Sequence, residues 1–466
     1  LLTKKHGNVL AVGDDAQSIY AFRGAKIQNI LNFKQDYPDT ATYKLEQNYR
    51  STKNIVNAAN SVIANYRQQL HKTVWTDNEE GQKIVQSIFE TKMQEQAMNS
   101  QFAILYRTNA QSRSFEESLR RFNIPYRIYG GVSFYQRKEI KDALAYFRLT
   151  INNNDDESLK RIINYPARGI GQTTIDKIIV AAAEHDNSMW TVIENLKDFN
   201  TSTSLSAGLG INSGISAKIA DFVTSIKSYS LMLPLKDAFE LGNHILVSAG
   251  IVRELYSDKT VEGVARYENI QELLNGIKDF SESERTPQED ELNEITKLSL
   301  PTDESNMFAQ QVDTSMRTLD EFMQEITLLT GTDDADDDEN KDKVSLMTIH
   351  AAKGLEFPYV YVVGLEENLF PSQLSLNNRS DLEEERRLFY VAITRAEKKA
   401  TLSYALTRYR YGNVLYCEPS RFIDEIDAQY MELPEETTTE FADDTFEGFR
   451  KGYNETGKKE VKFEKF

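Results

Sequence analysis

Four short blocks of the sequence combine side chains that bind phosphates or stack on aromatic rings. The first, VLAVGDDAQSIYAFRGA (residues 9–25), follows an apolar run with two carboxylates, an amide, two aromatic rings and an arginine. The second, LEQNYRST (residues 45–52), places an arginine where a helix-like segment opens, and a guanidinium there can pair with a phosphate. Each feature alone is commonplace on protein surfaces: a surface turn is an equal alternative for the first block, and an arginine near a helix start is more often a surface residue.

The other two blocks lie nearer the C-terminal end. VSLMTIHAAKGLEFPYVYVVGLEENLF (residues 344–370) carries a histidine, a lysine and a glutamate after a strand-like run. EEERRLFYVAITRAEK (residues 383–398) is typical of a helix whose acidic start suits the helix dipole, and Arg395 is predicted to project from its C-terminal end. Taken alone, the histidine is more typical of a structural residue and the helix of a solvated amphipathic one.

Short apolar runs separated by helix-like segments predict a parallel α/β sheet. The runs occur before residue 130 and again after residue 343, so one sheet is predicted to form from two separated pieces of chain, 40–140 and 343–430. The predicted strands are residues 9–12, 84–89, 102–106, 126–129, 344–348, 359–363 and 400–404.

Between about residues 137 and 330 the apolar pattern becomes helical. The fold class is therefore predicted as α/β with a helical insertion, followed by an acidic linker at 331–343. No internal repeat is predicted. The predicted helices are residues 52–69, 138–150, 173–184, 215–231, 319–329 and 382–393.

The composition indicates several domains and excludes some classes of protein. A chain of 466 residues exceeds one ordinary hydrophobic core, and no apolar run is long enough to cross a bilayer, so no membrane partner is expected. The single cysteine, Cys417, excludes an intramolecular disulfide and suits the cytoplasm. The net charge of −18 argues against a nucleic-acid partner when taken alone. Much of the acid, however, lies in runs at 282–294, 333–342 and 432–447, which are typical of solvated linkers and tails.

In this order, the four blocks resemble helicase motifs III, IV, V and VI of the PcrA/UvrD/Rep family of superfamily 1 DNA helicases, with PcrA of Gram-positive bacteria the most similar branch. The resemblance covers about residues 8–430 and includes ILYRTNAQSR (104–113) and FYQRKEIKDALAYFR (134–148). It implies a RecA-like parallel-sheet motor domain interrupted by an all-helical insertion domain. The implied boundaries are 1–39 for the end of a first motor domain, 40–140 and 343–431 for the second, 141–342 for the insertion and 432–466 for a disordered tail.

The resemblance implies a motor that couples ATP hydrolysis to 3′→5′ movement along single-stranded DNA in repair and replication. Gln17 would sense the γ-phosphate, Tyr49 would stack on the adenine, and Arg50 would contact the γ-phosphate. Glu356 would reach the ribose. Arg395 would act as an arginine finger, because phosphoryl transfer spreads charge over the γ-oxygens and a preplaced guanidinium stabilises it.

The resemblance also implies contacts with single-stranded DNA and with junctions between single and double strands. Tyr20 and Phe22 match aromatic residues that stack between bases, with Arg23 bracing their loop. Tryptophan is commoner in the family at the position of Phe22, but base stacking tolerates a smaller ring. Gly169 and Gly171, which open a helix in RGIGQT, match a duplex-contacting loop whose N–H groups can hold a phosphate. The other implied DNA contacts are Arg107, Asn109, His350 and Tyr411.

Two parts of the family's ATP site lie upstream of motif III, namely the P-loop and the acidic pair that binds Mg²⁺. A GxxxxGK match at residues 452–458 lacks the following Ser or Thr and the preceding strand, so it is no P-loop. We therefore expect ATP and Mg²⁺ as cofactors, no metal ligands in this chain, and little ATP hydrolysis by the chain alone. The alternatives are a non-catalytic DNA- or protein-binding module derived from a helicase, and a subunit of a helicase–nuclease.

Overall fold

The computed structural model divides into residues 1–431, which cluster as one unit, and residues 432–466 as a second. Among the described residues, no helix has the length and apolar character to span a membrane. The residues that the structure describes are 12, 17–20, 25, 32–33, 37, 51–64, 77–201, 209–283, 316–330, 342–410 and 413–432.

Five parallel strands form the central sheet, with the order β2-β3-β1-β4-β5 across it. Two of the strands precede the helical middle of the chain and three follow it, which confirms a sheet built from two separated pieces. The strands are β1 (Phe102–Tyr106), β2 (Tyr126–Tyr129), β3 (Val344–Thr348), β4 (Phe357–Val362) and β5 (Ala396–Leu402).

The common direction of the strands gives the sheet two distinct edges. The first residues of all five strands lie along one of them, called here the amino edge, and their last residues lie along the carboxyl edge. The loop of residues 349–356, which joins β3 to β4, therefore runs from the carboxyl edge back to the amino edge. Side chains along this loop can reach either edge, depending on their position.

Helices surround the sheet and form the whole of the middle segment. A separate antiparallel hairpin, β6 (Thr407–Arg410) and β7 (Asn413–Tyr416), follows β5. The helices are α1 (Lys53–Ala64), α2 (Asp77–Glu95), α3 (Ser112–Arg121), α4 (Lys138–Ile151), α5 (Asp156–Ile162), α6 (Gln172–Glu184), α7 (Met189–Glu194), α8 (Leu196–Thr201), α9 (Ser213–Met232), α10 (Ala238–Ser248), α11 (Ile251–Ser257), α12 (Val261–Glu282), α13 (Leu319–Thr330), α14 (Arg379–Ile393) and α15 (Arg421–Asp424).

Each face of the sheet buries a different set of side chains because neighbouring residues of a strand point to opposite faces. Leu105 of β1 packs in the core shared with α1 and α14. Ile104, its neighbour, packs in the core shared with α2 and α3. The helices of the middle segment form a third core of their own, which extends from Phe134 to Ile326.

The predicted strand at residues 84–89 is wrong, because these residues lie within α2. Ile84, Val85 and Ile88 are buried, whereas Phe89 is 44% exposed. Burial at positions i, i+1 and i+4 follows the helical period, and a short apolar run does not distinguish a helix from a strand. The predicted strand at 9–12 lies outside the described residues apart from Val12.

A buried ion cluster joins the hairpin to the sheet and to α2. Arg408 contacts Glu80 at 2.7 Å and Glu366 at 2.5 Å, and all three side chains are almost fully buried. Glu80 also accepts hydrogen bonds from the N–H of Gly364 and the hydroxyl of Ser403. The Arg408 guanidinium therefore supplies a counter-charge to both buried carboxylates.

Replacing Arg408 by methionine should destabilise the fold by about 3–5 kcal/mol, because two carboxylates would remain buried without their partner. The measurement is the free energy of unfolding in guanidinium chloride. Arg421→Ala is the matched control, since its pair with Glu367 is 45% exposed at the arginine and should contribute only about 0–1 kcal/mol. Equal effects of the two substitutions would contradict this account.

Candidate nucleotide and DNA sites at the two edges of the sheet

Arg395 lies at the amino edge, between the end of α14 and the start of β5. Its side chain is 1% exposed. Its Nε donates to the Val391 carbonyl at 3.0 Å and its Nη1 donates to the Leu355 carbonyl at 3.2 Å. The predicted outward projection is therefore wrong for this conformation. The carbonyls in the last turn of a helix lack intrahelical donors, and the guanidinium turns inward to satisfy one of them.

The second block of the sequence reaches the same edge. The Ser51 hydroxyl donates to the Ala396 carbonyl, and the Thr52 N–H donates to the Glu397 carbonyl at 3.1 Å. Tyr49 and Arg50, which precede Ser51, lie outside the described residues. Ser51 and Thr52, which follow Arg50, are thus bonded to Ala396 and Glu397, which follow Arg395.

Glu356 also belongs to the amino edge. It is exposed and stands immediately before β4. The next residue, Phe357, donates its N–H to the Arg395 carbonyl at 3.0 Å. The structure therefore brings Glu356 and Arg395 to adjacent strand starts, together with the residues that follow Arg50.

Residues 17–20 pack along the loop between β3 and β4. Lys353 Nζ donates to the Gln17 carbonyl at 2.7 Å, and the Tyr20 hydroxyl donates to the His350 carbonyl at 3.1 Å. The Tyr20 ring centroid lies 6.1 Å from that of His350 and 5.2 Å from Lys353 Nζ, within cation–π range. Ile19 is fully buried in the core between α1 and α14.

Residues 17–20 are held from two elements. The loop holds both ends of the segment, because Lys353 contacts the Gln17 carbonyl and the Tyr20 ring, and the His350 carbonyl accepts from the Tyr20 hydroxyl. Arg387 of α14 holds the segment between them, because its Nε donates to the Ser18 carbonyl at 3.0 Å.

Arg107 follows β1 at the carboxyl edge and is held by α14. Its Nε and Nη2 donate to both carboxylate oxygens of Glu385 at 2.7–3.1 Å. Burial acts to lower the pKa of the Arg107 guanidinium, but the carboxylates of Glu385, Glu268 and Glu384 outweigh it and leave the pKa above its ordinary value. The Arg107 guanidinium therefore stays charged, and its Nε and Nη2 are both bonded to the Glu385 carboxylate. Asn109, in the turn that follows, is exposed.

The RGIGQT loop lies far along the chain, at the start of α6. Gly169 has a φ of +75°, a region that glycine adopts without strain, and Gly171 is the N-cap of α6. The Asn164 side chain accepts hydrogen bonds from the N–H groups of Arg168 and Ile170, which closes the loop. In the part of the chain that the structure describes, the N–H groups of Gly169 and Gly171 make no hydrogen bond.

A similar turn precedes α9. Gly169 and Gly210 both have positive φ, and the cap residues Gly171 and Asn212 have similar extended backbones. Lys177 of α6 donates to the Gly210 carbonyl at 3.4 Å. Lys218 Nζ lies 3.0 Å from where a Cβ on Gly169 would stand. The equivalent pairs are Gly169 and Gly210, Ile170 and Ile211, Lys177 and Lys218, and Ile178 and Ile219.

Three side chains that contact predicted site residues or their neighbours were not themselves predicted, and some predicted site residues lie outside the described segments. Arg387, Glu385 and Lys218 carry no motif that separates them from ordinary surface charges, although Arg387 and Glu385 stand within the fourth block. In the segments that the structure describes, no group of three or more acidic, histidine or cysteine side chains is placed to hold a metal ion. The predicted site residues outside the described segments are Phe22, Arg23, Tyr49, Arg50 and Tyr411.

Comparison with known proteins identifies the family. Residues 43–407 match the UvrD-like helicase C-terminal domain, and residues 1–38 match the UvrD/REP helicase N-terminal domain. The chain is 38% identical over 446 residues to the DNA helicase II proteins of Salmonella typhimurium and Escherichia coli, which covers 93% of this chain and 57% of each of them.

The chain is equally similar to a second branch of relatives. It is 38% identical over 442 residues to the ATP-dependent DNA helicase PcrA of Staphylococcus epidermidis, covering 91% of this chain and 55% of that protein. Identity therefore does not separate PcrA from DNA helicase II as the nearer branch, and the chain spans a little over half the length of these relatives. Because the domain match extends over most of its length, the chain belongs to the UvrD-like helicase family.

Proposed function

We propose that the chain is part of an ATP-dependent DNA helicase that moves 3′→5′ along single-stranded DNA and serves DNA repair and replication. The observation that carries this proposal is the packing of residues 17–20 against the loop 349–356 and α14, two elements that run between the edge of Arg395 and Glu356 and the edge of Arg107. The names of the relatives, DNA helicase II and ATP-dependent DNA helicase PcrA, support it.

The proposed domain division follows from the two-piece sheet. Residues 40–140 and 343–431 make the second motor domain, and residues 141–342 make the helical insertion. Residues 1–39 make the end of the first motor domain, and the tail predicted for residues 432–466 lies outside the described residues apart from residue 432. The location of β1 and β2 before the helical middle, and of β3, β4 and β5 after it, supports the division.

The amino edge is the proposed nucleotide site. Its donor set fits ATP, since guanidinium and amide groups bind phosphate oxygens and the exposed Glu356 carboxylate can accept from ribose hydroxyls. When bound, ATP with Mg²⁺ supplies the phosphoanhydride bond whose hydrolysis drives movement. Gln17 and Arg50 would hold the γ-phosphate, and Tyr49 would hold the adenine. Arg395 would join them by exchanging its bonds to the Val391 and Leu355 carbonyls.

The carboxyl edge is the proposed path of single-stranded DNA. Tyr20 and Phe22 stack on bases, an interaction of about 1–3 kcal/mol per base that every base can make. Arg23 braces that loop. The remaining proposed contacts, which supply polar groups and an aromatic ring to the strand, are Arg107, Asn109, His350 and Tyr411.

The paired turns before α6 and α9 are the proposed contact with duplex DNA at a junction. Backbone N–H groups at such turns hold phosphates without reading the sequence of bases. Lys218, beside Gly169, adds a cation to the same place. We also propose a cytoplasmic location, which the single cysteine supports.

Single-stranded DNA should stimulate ATP hydrolysis by the full-length protein that contains this chain. Arg395→Ala should lower the stimulated kcat by about 10³–10⁵, because the transition-state charge loses a guanidinium. Arg395→Lys, which keeps the charge but not the planar fork, should recover only part of the loss. The measurements are steady-state ATP turnover and the melting temperature of each variant.

Arg421→Ala is the control for that experiment, because its guanidinium is exposed and lies outside both proposed sites. A full-length protein that binds single-stranded DNA but never turns over ATP would contradict the helicase proposal. The non-catalytic binding module would then replace it.

Lys218→Ala should weaken binding to a single-strand/duplex junction several-fold and leave the affinity for single-stranded DNA unchanged. Removal of one phosphate-contacting cation should also lower the slope of log affinity against log salt by about one. Lys227→Ala is the matched control on the same helix, since that lysine is paired with Glu194 at 2.5 Å. Binding is measured by fluorescence anisotropy over a salt series, and equal losses in the two variants would contradict the assigned role of Lys218.

A further inference from the structure

We propose that Arg387 is a positioning residue. It holds residues 17–20 in a fixed position against α14, and so positions both Gln17, at the proposed nucleotide site, and Tyr20, at the proposed DNA site. This inference rests on the proposed function. Arg387 itself touches neither the nucleotide nor the strand in this account. It acts through the main chain of Ser18, whose carbonyl accepts from Arg387 Nε at 3.0 Å.

This hydrogen bond lies within the segment, between Gln17 and Tyr20, so it can affect the position of both side chains. On one side stands Gln17, whose carbonyl is held by Lys353 at 2.7 Å. On the other side Ile19 is fully buried and Tyr20 donates to the His350 carbonyl. The Arg387 bond therefore fixes the main chain between the two functional side chains, where a small rotation would move both.

α14 connects this bond to the other edge contacts. Glu385 and Arg387 are two positions apart, so they point about 200° away from each other around the helix axis. Glu385 accordingly holds Arg107 on one side while Arg387 holds Ser18 on the other. Arg395 follows the end of the same helix, roughly 12 Å further along the axis.

Packing makes α14 move as a unit. Leu388, Phe389 and Ala392 are at most 1% exposed in the core against the sheet. Interiors packed at that density shift between discrete arrangements and do not deform continuously. A shift of the end of α14 on nucleotide binding would therefore carry Arg387 and Glu385 with it, and through them Ser18 and Arg107.

The adjacent arginine provides a matched control. Arg386 donates to both carboxylate oxygens of Glu425 at 2.7 and 2.8 Å and also pairs with Glu383. The bonds to Glu425 tie α14 to the end of α15. Arg386 thus contributes to the stability of the fold, whereas the proposed role of Arg387 is in coupling.

The experiment compares R387Q, R386Q and S18A in the full-length protein. In R387Q the ssDNA-stimulated kcat and the number of bases travelled per ATP should fall about tenfold, the scale of one lost charge-assisted hydrogen bond. The KM for ATP and the half-saturating ssDNA concentration should change less than about twofold. R386Q should lower the melting temperature without changing the bases travelled per ATP. S18A should match the wild type, because the acceptor is a main-chain carbonyl.

The outcomes distinguish a positioning role of Arg387 from a purely structural one. If R387Q lowers only the melting temperature, or lowers every parameter in parallel with R386Q, the residue is structural and the proposal is overturned. If S18A reproduces R387Q, the side chain of Ser18 matters and the proposal is overturned as well. A wild type without ssDNA stimulation would overturn the proposed function itself, which is distinct from a stimulated wild type with an unaffected R387Q.

Discussion

The direction of the parallel sheet is the constraint on which the sites depend. A strand rises about 3.3 Å per residue, so strands of five residues such as β1 hold the two edges roughly 15 Å apart. Arg395 and Glu356 lie at one edge, and Arg107 lies at the other. In the proposed function, communication between nucleotide and DNA must cross that distance. Among the described residues, the loop 349–356 and α14 run between the two edges, and residues 17–20 pack against both.

These crossing elements are joined by cations that bind main-chain carbonyls. Lys353 binds Gln17, Arg387 binds Ser18, and Arg395 binds Val391 and Leu355. A carbonyl acceptor fixes the path of the chain whatever side chain it carries. The backbones of Gln17 and Ser18 are thus held from the loop and from α14, independently of their own side chains.

Local pattern determined much of the fold but little of the geometry of the site. β1, β2 and β3 occupy the predicted residues because each is a short apolar run bounded by polar ones. Residues 84–89 were wrongly predicted as a strand, because a short apolar run fits the period of a helix as well as that of a strand. The bond between Arg387 and Ser18 joins residues 369 apart in sequence, and no local pattern encodes such a pair. The inward turn of Arg395 likewise depends on which carbonyls the folded chain presents to it.

The most direct test is the linkage between the two edges in the full-length protein. The dissociation constant for single-stranded DNA is measured with and without a non-hydrolysable ATP analogue, and that of the analogue with and without DNA. The account predicts that each ligand changes the affinity of the other by the same factor, in the range of about 5–150. Affinities that are independent of each other would contradict it, because the elements that cross the sheet would then carry no coupling.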